Sequence, residues 1–169
     1  MEILDINNIT YNNIFFKKIN RNLSKPLYFG KDFIFSTPIM KCAFGLEEYK
    51  NNHYIKLQFD GNLENHSPFF DFIKKLEYFF KSYFKTNAIA TQIRKYKNYD
   101  PLLVLKVPVK KMKSGGQHFN VDIEDDKLTT IHDIKKGMLL RCILSVNNVW
   151  HNDKLTSYKL TIKKIIITT

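Results

Sequence analysis

Apolar residues recur at two different spacings along this chain. Over about residues 67–86 they recur every three or four positions, which is the period of an α-helix with one buried face. Ser67 is the predicted N-cap, and Pro68 is the predicted first helical residue, where a missing N–H is tolerated. The predicted buried residues of this helix are Phe69, Phe72, Ile73, Leu76, Phe80 and Tyr83.

Elsewhere apolar and polar residues alternate in short runs, as in half-buried β-strands. A turn at 147–154 carries Trp150, and residues 1–24 are predicted to be an arm that packs at one end. The rest of the chain, 25–169, has a length that favours a single domain. The predicted strands are 26–36 with a break at 30–32, 39–43, 53–59, 88–96, 102–109, 118–123, 137–146 and 155–167.

Seven or eight strands with short turns and one inserted helix predict a mainly β fold. A small closed or nearly closed barrel is favoured, because closure removes exposed sheet edges. Among such barrels the oligonucleotide-binding fold (OB-fold) fits best. The sequence therefore predicts an OB-fold-like small barrel with one long inserted α-helix.

The positive charge of the chain is clustered. The net charge is +11, and residues 86–113 contribute +6 of it from seven basic residues and Asp100. Lysines along an extended chain, with Tyr96 and Tyr99 between them, suit a polymer of phosphates whose bases are free to stack. The excess of Lys over Arg can also reflect an AT-rich genome, so the clustering carries more weight than the total. Single-stranded nucleic acid, DNA or RNA, is the favoured partner.

Composition excludes several other classes of protein. A hydrophobic content of 44% with 14% aromatic residues excludes a disordered polycation. No apolar run approaches the ~20 residues that cross a bilayer, and the first ten residues do not have the pattern of a secretory signal. Cys42 and Cys142 lie far apart, so zinc is not expected. The expectation is an intracellular protein with no cofactor and no membrane partner.

Catalysis has little support in the sequence. The five histidines show no metal-ligand spacing, and no nucleophile or phosphate-binding motif is present. Asp122, Glu124, Asp125 and Asp126 leave a metal-dependent nuclease as one alternative. A structural virion protein or protein-interaction module, in which the charge only aids solubility, is the other. Non-enzymatic binding is the favoured interpretation.

The basic cluster supplies candidate binding residues. Gln92, Arg94 and Tyr96 are predicted to alternate outward along one strand, next to Lys95. Lys106 faces away from the apolar side of the next predicted strand. Trp150 is either a stacking platform or a plug over the barrel end. The three lysines predicted to crowd one hairpin tip are Lys110, Lys111 and Lys113.

Three segments, in this order, carry a resemblance to a known family. They are PIMKCAFGLEEY at 38–49, YDPLLVLKVP at 99–108 and SYKLTIKKI at 157–165, with the aromatic helix between the first two. Together with the strand after Gly137 and with Trp150, they resemble the single-stranded-DNA-binding proteins of nucleocytoplasmic large DNA viruses. Those proteins are related to phage helix-destabilising proteins.

The resemblance implies an OB-fold that coats single-stranded DNA in viral replication, recombination or repair, without sequence preference. Replication proteins and further copies of this chain are also expected as partners. The phage relatives end in an acidic tail, whereas this chain ends in IIITT at 165–169. The groove residues that the resemblance implies are Lys41, Lys56, Arg94, Tyr96, Lys106, Trp150, Tyr158 and Lys159.

Overall fold

The computed structural model describes residues 1–125, 127 and 129–168. Within these residues it has one α-helix, α1 (His66–Tyr83), seventeen short strands and three turns of 3-10 helix, so the predicted mainly β fold with one inserted helix is confirmed. The 3-10 turns are Ile6–Asn8, Tyr11–Asn13 and Ile131–Asp133. The strands are β1 (Ile14–Asn20), β2 (Leu23–Tyr28), β3 (Lys31–Asp32), β4 (Ile34–Ser36), β5 (Met40–Cys42), β6 (Glu47–Tyr49), β7 (Asn52–Gln58), β8 (Ala88–Ala90), β9 (Ile93–Tyr96), β10 (Tyr99–Val107), β11 (Val109–Lys111), β12 (Gln117–Phe119), β13 (Asp122–Glu124), β14 (Leu139–Ser145), β15 (Val149–His151), β16 (Leu155–Tyr158) and β17 (Thr161–Thr168).

Nine of these strands form the main sheet, in which β17, β10, β7, β5 and β14 pair successively. Because β14 also pairs with β17, the pairings return to the strand at which they began. β10 and β17 run parallel and share one register pair, Lys106 with Thr161. The Lys106 N–H also donates to the Leu160 carbonyl oxygen at 2.8 Å. This arrangement fits a five-stranded, partly open OB-fold barrel, in which only this narrow contact joins β10 and β17 within the described residues.

A second sheet and the helix complete the molecule. In the second sheet β1, β2, β15, β16 and β8 pair successively, and β3 joins β2. β11 and β12 form a separate two-stranded sheet, here called the lysine hairpin (residues 109–119). α1 packs against both larger sheets: Phe72 contacts Phe35 of β4 with ring centroids 5.1 Å apart, and Phe80 contacts Tyr158 of β16 at 5.5 Å.

The predicted apolar face of α1 is buried with one exception. Tyr83 is 52% exposed, because it lies at the last turn and covers Phe16 of β1 from outside. Burial of the other five side chains stabilises the fold by about 1.5–3 kcal/mol for each fully buried residue. They are Phe69, Phe72, Ile73, Leu76 and Phe80.

The start of α1 differs from the prediction. The helix begins at His66 with Asn65 as N-cap, so Ser67 is not the N-cap and Pro68 is the third helical residue. Asn65 makes no side-chain capping bond. Instead the buried His66 ring ties the helix to two loops. Its Nδ1 accepts from the Asp60 N–H and its Nε2 donates to the Ile39 carbonyl oxygen, both at 2.8 Å.

The first 24 residues contain more regular structure than an arm. They include all of β1 and the first residues of β2, which pair as a hairpin at the edge of the second sheet. The boundary predicted between residues 24 and 25 therefore falls inside β2. Alternation in β1 is hard to detect from the sequence, because Phe15 and Ile19 are exposed on an edge strand.

The two sheets also divide segments that the sequence predicts as single strands. The predicted strand 155–167 is split into β16 in the second sheet and β17 in the main sheet. The predicted turn around Trp150 contains β15, which pairs with β2 and β16. Within the described part of the chain, no helix is both long and apolar enough to cross a membrane.

Candidate nucleic-acid interface

Two adjoining cavities, of about 260 and 490 Å³, form one groove on the surface of the main sheet. The first is lined by Lys106 and Trp150, the second by Lys56 and Arg94, and Lys159 lines both. The two cavities together are here called the basic groove. Six of the predicted site residues line it, and they are Lys56 of β7, Arg94 of β9, Lys106 of β10, Trp150 of β15, Tyr158 of β16 and Lys159 of the β16–β17 connection.

The alternation of β7 and β10 places the groove on the outer side of the main sheet. In β7 the side chains of His53, Ile55 and Leu57 are buried, so Tyr54 and Lys56 face outward. The register pairs Lys106 of β10 with Tyr54. The aromatic ring and the two lysines therefore share one face.

Lys159 is the electrostatic centre of the groove. Partial burial, together with the positive charges of Lys106 and Arg94, lowers the pKa of the Lys159 ammonium below its usual value. Its Nζ lies 5.9 Å from the centroid of the Tyr54 ring. Within the described residues, none of Lys106, Lys159 and Arg94 has a carboxylate in ion-pair contact. Three clustered and unpaired cations favour the binding of an anion, which relieves their mutual repulsion.

Trp150 lies at the Lys106 end of the groove. It is held in β15 between Leu23 of β2 and Ser157 of β16, and 40% of it is exposed. A ring fixed by two neighbouring strands and still accessible from the groove can stack on a base. This exposure favours the stacking platform over the plug.

The ring of Tyr158, a groove residue that the resemblance implies, is not available to stack on a base. Its side chain is 2% exposed, and its hydroxyl donates to Oε2 of Glu77, a buried residue of α1. Burial and the Glu77 carboxylate raise the pKa of the Tyr158 hydroxyl well above its usual value. In an OB-fold groove, alternate residues of a strand face opposite sides, and here Lys159 faces the groove while Tyr158 faces the core.

Glu77 was not identified from the sequence, although it organises the floor of the groove. Its Oε1 accepts from the Thr91 hydroxyl at 2.6 Å, and its Oε2 accepts from the Gln92 N–H at 2.9 Å. Gln92, which strand alternation predicts to face outward, is instead 4% exposed, and its side chain donates to the Tyr158 carbonyl oxygen at 2.9 Å. The available signal was its position on the helix, between Ile73 and Phe80 on the apolar face.

Lys56 is present in the groove but has a partner. Its Nζ lies 3.2 Å from Oε1 of Glu47 in β6, and the Lys56 side chain is 17% exposed. The ammonium also lies 5.7 Å from the centroid of the Phe44 ring. Lys56 therefore meets a phosphate only in competition with Glu47.

Two other predicted residues of β9 lie outside the groove lining. Lys95 faces α1, where its Nζ is 5.6 Å from the centroid of the Phe70 ring. Tyr96 is 44% exposed and pairs with Tyr99 at the far end of the β9–β10 hairpin. Both are exposed, and neither lines a cavity of the basic groove.

The predicted lysines of the hairpin tip are exposed on the lysine hairpin and do not line the groove. A small cavity of about 250 Å³ shares Asn147 and Thr161 with the groove and reaches Pro108 and Asn120 at the base of this hairpin. The lysine hairpin therefore rises from the Trp150 end of the groove. Its three lysines are Lys110, Lys111 and Lys113.

Lys41 lies elsewhere on the same sheet. It is exposed on β5 and lines a separate cavity of about 610 Å³, here called the distal cavity. Arg141 of β14 lines the same cavity and was not among the predicted residues. It stands two residues from Leu139 in a strand whose alternation the sequence does show, so its outward orientation could have been predicted.

The acidic residues around β13 have separate partners. Glu124 lies 3.6 Å from Nζ of Lys164, and Asp125 accepts a hydrogen bond from the Thr129 hydroxyl. Asp122 lies on β13 and lines the small cavity beside the groove, and Asp126 falls outside the described residues. Within the described ranges, no group of three His, Cys, Asp or Glu side chains could hold a metal ion. Cys42 and Cys142 are buried and free.

No protein-family model and no curated protein matches this chain in sequence. Solved structures are similar in fold. One is gp2.5, a single-stranded DNA binding protein encoded by bacteriophage T7, with a TM-score of 0.54 and 12% identity over 80% of this chain and 91% of that chain. Another is the C-terminally truncated single-stranded DNA-binding protein of bacteriophage Enc34, with a TM-score of 0.52 and 9% identity over 95% of this chain and 97% of that chain. At these identities the similarity shows a shared OB-like fold.

Proposed function

We propose that this protein binds single-stranded DNA without sequence preference and without catalysing a reaction on it. The observation that carries the proposal is the basic groove. An accessible Trp150 shares one of its cavities with Lys106 and Lys159, Arg94 lines the other, and none of the three cations has an ion pair among the described residues. Cations that replace counterions along the phosphates, and a ring that stacks on bases, are the two components of binding to single strands.

The position of the groove supports the same function. OB-folds bind oligonucleotides on the face of their second and third strands and at the loops between strands 1 and 2 and between strands 4 and 5. In the ring of paired strands these correspond to β7 and β10, to the segment carrying β6, and to the segment carrying β15 and β16. Tyr54, Lys106, Glu47 and Trp150 come from these four places.

The similar solved structures are the second support. Both are single-stranded DNA-binding proteins of bacteriophages. We therefore extend the proposal to a role in DNA replication, recombination or repair, in the manner of the large-DNA-virus proteins that the sequence resembles. On this proposal the protein acts inside a cell, in a host-cell replication compartment if it is viral, with itself and replication proteins as partners.

Titration with labelled oligonucleotides tests the proposal. Fluorescence anisotropy is measured with an oligothymidylate and with a duplex of equal length, over a range of salt concentrations. The expected result is tighter binding of the single strand, with an affinity that falls as salt rises by about 0.7 logarithmic units per phosphate contact for each tenfold change. Equal binding of both forms contradicts the proposal.

The same samples, incubated with and without magnesium and run on a denaturing gel, separate the alternatives. A nuclease cleaves the oligonucleotide when magnesium is present. A structural or protein-interaction module neither shifts nor cleaves it. The proposed function requires a shift on a native gel and an intact strand on the denaturing one.

A further inference from the structure

We infer that the distal cavity holds a further nucleotide of the same single strand, with Lys41 and Arg141 as its phosphate-binding residues; this rests on the proposed function. The cavity lies between β5, β7, β14 and the start of α1. Its volume of about 610 Å³ is within the range of cavities that bind small organic molecules.

Strand register places the distal cavity on the same face as the basic groove. Lys41 of β5 pairs directly with Gln58 of β7, and Leu139 of β14 pairs with Lys41. Arg141 follows Leu139 by two residues, so it faces the same side. Gln58 likewise follows Lys56 of the groove by two residues. All of these side chains therefore face outward from one continuous surface.

The distance between the two sites is short enough for one strand to span. Gln58 lines the distal cavity, and Lys56 lines the groove. Two residues along a β-strand cover about 7 Å, and a neighbouring strand lies about 5 Å away. Lys41 therefore lies on the strand next to β7, opposite Gln58, which is two residues along β7 from Lys56. A strand that leaves the groove past Lys56 reaches the distal cavity next.

The two cations of the distal cavity are available to a ligand. Lys41 and Arg141 are exposed, and within the described residues neither forms an ion pair. Arginine presents a planar fork of donors that matches the oxygens of a phosphate.

The rest of the lining suits a nucleotide better than an inorganic anion. Ile39 and Leu139 are 43% and 41% exposed and give the cavity an apolar wall, against which a base can pack. Asp60 and Glu64 also line it, and carboxylates accept hydrogen bonds from N–H groups of bases, such as the ring N–H of thymine or the amino group of cytosine. Phosphate alone would meet these carboxylates as like charges. A base with its phosphate satisfies both parts of the lining.

The test compares two double variants on a short and a long strand. Lys41→Gln/Arg141→Gln removes both cations of the distal cavity, and Lys74→Gln/Lys75→Gln removes two from the exposed side of α1 as a matched control. Oligothymidylates of about 4 and about 12 nucleotides bracket the lower range of site sizes of one OB-fold. Anisotropy is measured over a salt series with the full chain, and unchanged melting temperatures confirm that both variants fold.

The wild-type protein is expected to bind both lengths. In the Lys41→Gln/Arg141→Gln variant, affinity for the long strand should fall roughly 20-fold at about 0.1 M salt. The reason is the loss of two phosphate contacts, each of which contributes about 0.7 to the slope of log affinity against log salt concentration. Affinity for the short strand should change by less than about twofold, since the groove still holds it.

Three outcomes overturn the inference. If the long strand binds the variant and the Lys74→Gln/Lys75→Gln control equally, no phosphate contacts the distal cavity. If the short strand loses as much affinity as the long one, Lys41 and Arg141 act within the basic groove rather than beyond it. If the wild-type protein binds neither length, the proposed function itself fails, and the result is distinguished from the first two by the wild-type titration.

Discussion

Trp150 and Tyr158 lie on neighbouring strands of the second sheet and have opposite surroundings. Trp150 is 40% exposed at the groove, whereas Tyr158 is 2% exposed and bonded to Glu77. Both are aromatic, and sequence alone gives them the same candidate role. The difference arises because Tyr158 is aligned with Val149, whose side chain is also buried, while Trp150 faces the other side. Replacing Trp150 should therefore change the affinity for DNA, whereas replacing Tyr158 should change the stability of the fold.

Replacing Trp150 should weaken binding without unfolding the protein. A base stack contributes about 1–3 kcal/mol, so Trp150→Ala is expected to lose roughly 5- to 150-fold in affinity for an oligothymidylate. Anisotropy titration measures the loss, and quenching of tryptophan fluorescence in the wild-type protein, which has one Trp, reports the contact directly. Tyr78→Ala, at an exposed aromatic residue of α1, is the control and should retain affinity. A comparable loss in both variants would remove Trp150 from the interface.

Replacing Tyr158 should instead cost stability. Tyr158→Phe keeps the packed ring but leaves the buried Glu77 carboxylate short of one donor, which costs about 1–3 kcal/mol in the free energy of unfolding. Urea denaturation measures it. Tyr99→Phe, at a residue that is 78% exposed, should be unchanged. If Tyr158→Phe is as stable as the wild type and loses affinity instead, the hydroxyl acts on the ligand.

At the scale of elements, the hairpin of β6 and β7 determines how many groove cations are free of a carboxylate partner. It follows Gly45, whose φ is +90° and where a Cβ would lie 2.7 Å from the Ile134 carbonyl oxygen, so glycine is required there. Its two-residue turn, Lys50 and Asn51, has positive φ at both positions, as hairpin turns of type I′ do. This turn returns the chain so that Glu47 meets Lys56.

Removing the charge of Glu47 should therefore strengthen binding. Glu47→Gln releases Lys56, which can then make one additional phosphate contact. This contact should steepen the slope of log affinity against log salt concentration by about 0.7 and raise the affinity roughly fivefold at about 0.1 M salt. Glu124→Gln breaks a different ion pair, with Lys164, and controls for the loss of one negative charge. Salt-dependent anisotropy distinguishes them. An equal gain in both variants would mean that net charge, and not Lys56, is responsible.

The lysine hairpin is a predicted binding element whose tip lies beyond the groove. Replacing its three lysines by Gln should lower the salt dependence by about 2 if each contacts one phosphate. A variant with Lys74, Lys75 and Lys81 of α1 replaced by Gln loses the same charge from the helix. If the two triple variants have the same salt dependence, the strand does not reach the hairpin. The replaced residues are Lys110, Lys111 and Lys113.

At the scale of the whole molecule, the spacing of apolar residues predicts where the helix and strands lie, but it does not predict which strands pair. The apolar face of α1 and most strands of the main sheet are visible in the sequence, because each depends on local alternation. The division of 155–167 between two sheets is not, since it depends on which distant strands pair with β16 and β17. The same limit applies to the site. Outward-facing Lys56 could be predicted, but its ion pair with Glu47 is set by the hairpin turn.

The fold also concentrates cations enough to make binding depend on pH. Burial and the charges of Lys106 and Arg94 lower the pKa of Lys159 in the free protein, and phosphates nearby should raise it in the complex. Affinity then has its full value below the pKa of Lys159 in the free protein. It declines as pH rises through the pKa of Lys159 in the complex, because the unprotonated amine loses its phosphate contact. The decline should begin below the ordinary lysine pKa of about 10.4.

Lys159→Arg separates this residue from the other lysines, because arginine stays protonated throughout the range. Titration of an oligothymidylate from about pH 7 to about pH 10, with melting temperature followed in parallel, should show an earlier loss of affinity in the wild type than in Lys159→Arg. Lys164→Arg, at a lysine already paired with Glu124, is the matched control and should follow the wild type. Coincident pH profiles for all three proteins would show that Lys159 does not contact the strand, and the centre of the groove would have to be placed elsewhere.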